Sequence, residues 1–98
     1  MTNTVNKPKD DVRERHIPMY KVLIHNDNVT PASFVVEILK VVFKKEIHHA
    51  YDIMVEAHNK GIALVVVEPL EHAEFHAEQV RSLAGTQGYP LIVTYEQE

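Results

Sequence analysis

Asn26-Asp27-Asn28 places two amides and a carboxylate on three successive residues, between an alternating apolar run and a helical one. Held on a short turn, such a trio can ring a small cationic or polar group with acceptor oxygens. The same three residues are also ordinary turn chemistry. His58 falls four residues after Met54 and continues an apolar helical stripe, which aims it inward at a helix end. Asp27 and His58 together make an acid–base pair on paper, yet no activated nucleophile or cofactor motif accompanies them. Seven histidines include His48-His49 and the pair His72/His76, spaced i, i+4 on one helix face. That pair could grip zinc or nickel, but two ligands fall short of the three or four a metal site needs.

Composition narrows the classes. Ninety-eight residues with 45% apolar content make one domain with a modest core. A net charge of −4 gives no basic footprint, so nucleic acid is not an expected partner. Cysteine is absent, which removes disulfide and thiol chemistry and fits a cytoplasmic setting. The longest aliphatic run, Ile62 to Val67, is far too short for a membrane span, and the first residues lack a signal peptide's apolar stretch.

The elements that must position the polar trio follow from periodicity. Residues 1–18 are polar, mixed in charge and without period, and read as a flexible extension; residues 19–98 read as the folded core. Tyr20 to His25 alternates as a strand, with Tyr20, Val22 and Ile24 on one side. Thr30 is placed as an N-cap and Pro31 as the first helical residue. In the helix that follows, Ser33, Glu37, Lys40 and Lys44 form a polar stripe, and the other residues from Phe34 to Phe43 are apolar.

A second helix is expected from about His48 to Lys60, ended by Gly61, with Ile47, Ala50, Tyr51, Met54 and Ala57 inward. Ile62 to Val67, apolar on both faces, reads as a central strand ended by Glu68-Pro69. A third helix is expected from about Leu70 to Leu83, with Leu70, Ala73, Ala77, Val80 and Ala84 inward, and Gly85 to Gly88 breaks it. Leu91 to Tyr95 is the last strand, entered through Pro90. The order β-α-α-β-α-β predicts a small α+β sandwich: a three-stranded antiparallel sheet with three helices on one side.

Tyr20-Lys21-Val22, Asn26-Asp27, Thr30-Pro31 and Phe34-Val35, then Met54, His58, Gly61, Glu71-His72-Ala73-Glu74 and Pro90-Leu91, together resemble a ClpS-type adaptor over about residues 19 to 96. The element order is also similar to the C-terminal domain of the ribosomal stalk protein. The resemblance implies an adaptor with no chemistry and no cofactor. It implies capture of proteins whose first residue is large and hydrophobic (Leu, Phe, Tyr, Trp). A ClpA-type AAA+ unfoldase then receives them and feeds ClpP. By position, Asn26, Asp27 and His58 take the cargo's α-amino group. Thr30, Ala32, Val35, Met54, Ala57 and Leu91 line the side-chain pocket. Glu71, Glu74 and His76 fall on the face that docks on the unfoldase, and the N-terminal extension assists delivery.

A cytoplasmic monomer, with no membrane or nucleic-acid partner, is the implied working form. Four positions depart from the family pattern. Asn28 stands where a second aspartate is usual, Ala32 where a methionine is common, Ala57 where the aliphatic residue is larger, and His76 where a basic residue is common. With Ala32 at the rim, Ile and Val join the expected first residues. The alternatives are a modulator or inhibitor of the unfoldase and a histidine-based metal-binding module.

Overall fold

The structure, a computed structural model, describes residues 16–98; most of the expected N-terminal extension lies outside the described residues. The first strand, β1, is Met19–His25, and its inner-face residues Val22 and Ile24 are fully buried. Chain order then gives α1 (Ala32–Val41), α2 (Ile47–Lys60), β2 (Ile62–Pro69), α3 (Leu70–Gln87) and β3 (Val93–Gln97). The sheet is antiparallel with strand order β2-β1-β3. The expected α+β architecture is therefore the observed one.

β1, not β2, is the middle strand. Ile62 to Val67 is apolar on both faces, which suggested burial on both, yet Leu64 is 45% exposed. The helices cover only the face carrying Val22, Ile24, Ala63, Val65 and Val93. β2 thus occupies an edge, where Pro69 at its end disturbs no second ladder. Val22 pairs with Val66 and Leu23 with Leu64, which leaves Val65 as the extra residue of a bulge. Val65 faces the core alongside Ala63, two residues earlier on the same side of the strand.

α1 is shorter than its apolar run. It ends at Val41, Val42 is its buried C-cap, and Lys44 adopts a positive φ of 60°. Lys44 therefore leaves the polar stripe, and Val41 is 47% exposed. Only Ile38 and Leu39 within the helix are fully buried, because its contacts are with α2 on one side. α2 begins one residue earlier than expected because Glu46 caps it, accepting from the backbone N–H groups of His48 and His49. The hydrogen bond to the His48 ring leads the effects that lower the Glu46 pKa. The buried stripe of α2 is Ala50, Ile53 and Ala57. Ile47 and Tyr51 point outward instead, since a close-packed Ala50–Ile53–Ala57 seam rotates the helix away from them.

α3 runs through Gly85 to Gln87 and stops at Gly88, in the left-handed region at φ 78°. One helical glycine costs only about 1 kcal/mol relative to alanine, less than burial of Val80 and Ala84 returns. Leu70 at the start of α3 is exposed and Ala77 is half-buried, so the inward set reduces to Ala73, Val80 and Ala84. β3 starts at Val93, later than expected. Leu91 is buried but precedes the ladder, and the Ile92 carbonyl accepts a bond from the His25 N–H at 3.2 Å. Among the described residues no helix is long and apolar enough to cross a membrane.

Two glycines should respond oppositely to alanine. Gly61 caps α2 at φ 89°, and Gly85 is helical; neither site has an atom within 4 Å of an added Cβ. Urea unfolding should show Gly61→Ala destabilised by about 1 kcal/mol and Gly85→Ala stabilised by about 0.4–1 kcal/mol.

Candidate functional site

The turn after β1 is shaped by one side chain. Asp27 Oδ1 accepts the backbone N–H groups of Val29 and Thr30 at 2.8 and 2.7 Å, and Oδ2 accepts the Thr30 hydroxyl at 2.8 Å. This is an Asx turn built on a carboxylate. It also corrects the expected cap. Thr30 gives its hydroxyl to Asp27 and lies outside the helix. Pro31 is the N-cap, without a side-chain hydrogen bond. The Pro31 carbonyl instead takes the N–H groups of Phe34 and Val35. A hydroxyl donating to a carboxylate makes a charge-assisted bond, stronger than a neutral cap.

A second tether brings the turn to α2. The Asn26 N–H donates to the Gly61 carbonyl at 2.9 Å, and the Gly61 N–H closes α2 on the Ala57 carbonyl. The last turn of α2, carrying Ala57 and His58, thereby stands beside the polar trio. Between them opens a cleft of about 270 Å³. Asn26, Asp27, Asn28 and Thr30 line it from the turn, Ala32 and Val35 from α1, Met54, Ala57 and His58 from α2, and Leu91 from the approach to β3.

All nine residues given by position to amine or side-chain contact surround this single cavity. Ile24, His25 and Asn28 also line it and were not among the nine. Ile24 and His25 immediately precede Asn26 in the chain, which is the signal that points to them. His58 is exposed, so it rims the cleft rather than leaning into the core. The His25 ring nitrogen Nε2 pairs with the Thr94 hydroxyl at 2.7 Å and links β1 to β3 beside the site.

The cavity is amphipathic. Ala57 and Leu91 are buried and apolar, Met54 and Val35 half-buried, and amides, imidazole and carboxylate gather at the mouth. Such a site suits a ligand with one apolar group and one polar head. Partial burial pushes the Asp27 carboxyl up, but the bonds from the Thr30 and Val29 N–H groups and the Thr30 hydroxyl outweigh it. The net effect holds the Asp27 pKa below its ordinary value. Among the described residues no hydrogen bond joins Asp27 to His58, which leaves the acid–base pair without its defining contact.

The other singled-out residues lie on α3. Glu71 and Glu74 are exposed. His76 is not free beside them. Its Nδ1 is 2.8 Å from Glu68 Oε2, and its ring packs on Phe43 with centroids 4.9 Å apart. The His72/His76 pair therefore has one imidazole already engaged, and among the described residues no group of three His, Asp or Glu side chains converges on a cation position.

Residues 15–94 match the family model described as ATP-dependent Clp protease adaptor protein ClpS. The ClpS adapter protein of Gloeobacter violaceus is 41% identical over 95 residues, covering 96% of each chain. ClpS 2 of Rhizobium meliloti is 42% identical over 80 residues, covering 82% of this chain and 79% of that one. Among solved structures, Agrobacterium tumefaciens ClpS2 bound to L-phenylalaninamide superposes with a TM-score of 0.82 at 37% identity. It covers 85% of this chain and 100% of that one.

The Asp27 turn carries a signature in pH. A carboxyl held below its unfolded value contributes stability that is present above that value and lost as pH falls through the folded one. Wild type and Asp27→Ala should differ in urea midpoint at neutral pH. The difference should shrink steadily below pH ~4, where the unfolded carboxyl protonates.

Proposed function

Since the chain belongs to the ClpS family of ATP-dependent Clp protease adaptors, we propose that it captures proteins by a free N-terminus bearing a large hydrophobic first residue. The family is one of adaptors and not of enzymes. The observation that carries the proposal is the single cleft in which the Asn26–Thr30 turn and His58 rim an apolar cavity. An ammonium has three donors and needs acceptors; the Asn26 amide oxygen and the His58 imidazole nitrogen supply two of them, on a rim whose turn carries the Asp27 carboxylate. Thr30, Ala32, Val35, Met54, Ala57 and Leu91 then receive the first side chain. L-phenylalaninamide, the ligand of the Agrobacterium relative, has this combination of α-amine and benzyl group.

Delivery in this reading is to a ClpA-type unfoldase working with ClpP. Glu71 and Glu74 on α3 offer an exposed acidic docking face. His76 belongs to that face with its ring held by Glu68 and Phe43. The N-terminal extension supports transfer after capture. The working unit is a cytoplasmic monomer.

The capture reading is tested with fluorescent peptides that differ in first residue and in N-acetylation. A free amine before phenylalanine or leucine should bind about 10- to 100-fold more tightly than its acetylated twin, the span of one lost charge-assisted bond. His58→Ala and Asn26→Ala should each narrow that gap. Equal binding of free and acetylated peptides would remove the capture reading.

Ala32 sets the second test. It sits at the rim with only a methyl group, so side chains branched at Cβ meet little there. Isoleucine, and to a lesser degree valine, should be admitted. A methionine at this position would crowd that branch at a cost of about 1–3 kcal/mol. The isoleucine-to-leucine affinity ratio should therefore fall in Ala32→Met, and an unchanged ratio would shift rim control to Met54 and Ala57.

A further inference from the structure

We infer that Asp27 is a positioning residue: it serves the captured amine through the shape of the turn and not by touching the amine. This rests on the capture reading of the cleft. An ionised carboxylate is acceptor-only, with about four lone-pair directions. Three donors fill most of them here: the Val29 N–H at 2.8 Å, the Thr30 N–H at 2.7 Å and the Thr30 hydroxyl at 2.8 Å. All three come from Asp27's own turn, within three residues. The depressed Asp27 pKa agrees with a carboxylate bound in this way.

These bonds have a consequence for the cleft. The Thr30 hydroxyl has one proton and gives it to Asp27, so toward the cavity it can only accept. The Asn26 backbone is fixed from the other side by its bond to the Gly61 carbonyl. Asn26 thus sits between two anchored points, and its side chain, together with the oriented Thr30 hydroxyl and His58, meets the amine. Asp27 determines where the first two of those groups stand.

A positioning role and a contact role separate on Asp27→Asn. The carboxamide oxygen can accept both backbone N–H groups, and its NH₂ can donate to the Thr30 oxygen, so the turn survives with one bond reversed. In Asp27→Asn the amide oxygen stays committed to the Val29 and Thr30 N–H groups and a donor replaces the second oxygen, so a direct charge-assisted contact to the ammonium would be lost while the turn is kept. Affinity for a free-amine phenylalanine peptide and for its N-acetylated twin is measured in wild type and both variants, beside thermal melts and the amide proton shifts of Val29 and Thr30.

Asp27→Asn should bind the free-amine peptide within about fivefold of wild type, the scale of a nearby but uncontacted charge in water. It should retain the free-over-acetylated preference and the two amide shifts. Asp27→Ala should lose at least about twentyfold and most of that preference. A loss of about twentyfold or more in Asp27→Asn with unchanged melting and amide shifts would overturn the positioning role. If Asp27→Ala does not fold, the comparison of Asp27→Asn with wild type decides alone. If wild type shows no preference for the free amine, the capture reading falls and the positioning role falls with it. A preference shown by wild type and lost in Asp27→Asn sinks the positioning role alone.

Discussion

One backbone hydrogen bond holds the cleft together: the Asn26 N–H on the Gly61 carbonyl. It joins the end of β1 to the end of α2 across 35 positions of chain. Gly61 can accept it because its left-handed φ of 89° turns the chain sharply from helix into β2. Next to it His25 pairs with Ile62 in the ladder, so the helix end and the polar turn are fixed to the same corner of the sheet. Without that corner, the rim residues on the turn and on α2 belong to separate elements with no reason to meet. Recognition of a small ligand depends on such rigid placement of a few polar groups around an apolar hole.

The sheet is covered on one face, and the helices that cover it approach closely because alanines stand at the contacts. Ala50, Ala57, Ala73 and Ala84 are all essentially inaccessible. Small side chains bring α2 and α3 near the strands while Leu39, Ile53 and Val80 fill the volume between. Among the described residues no polar or charged side chain is buried, so the core carries no desolvated group needing a partner. The polar groups of the cleft lie at its mouth, on the turn and the end of α2.

Much of this was legible in residue order. Alternation marked β1, the glycine after Lys60 marked the end of α2, and the spacing of Met54, Ala57 and His58 put three cleft residues on consecutive turns of one helix. What misled had physical causes. Ile62 to Val67 is apolar on both faces, and apolar content alone does not distinguish a strand buried twice from an edge strand with one open face. Thr30-Pro31 is an ordinary N-cap pair, but the Asp27 turn holds Thr30 ahead of the helix and the first helical bonds go to the Pro31 carbonyl. Ile47 and Tyr51 fit a helical stripe as well as Ile53 does; only the packing partner chooses the rotation. Gly85 and Gly88 both read as breakers. The second, which can take a positive φ after the last packed residues, ends the helix.

The bulge at Val65 carries a further consequence, for solubility. β2 is an apolar edge, with Ile62 and Leu64 exposed, and such an edge is a template for another copy of the chain. A neighbouring molecule that added its own strand there would meet a ladder whose register slips by one residue at mid-length. Pairing begun on either side of Val65 would put side chains out of phase on the other side, and Pro69 supplies no donor at the far end. The same irregularity thus discourages runaway edge-to-edge stacking of neighbouring copies.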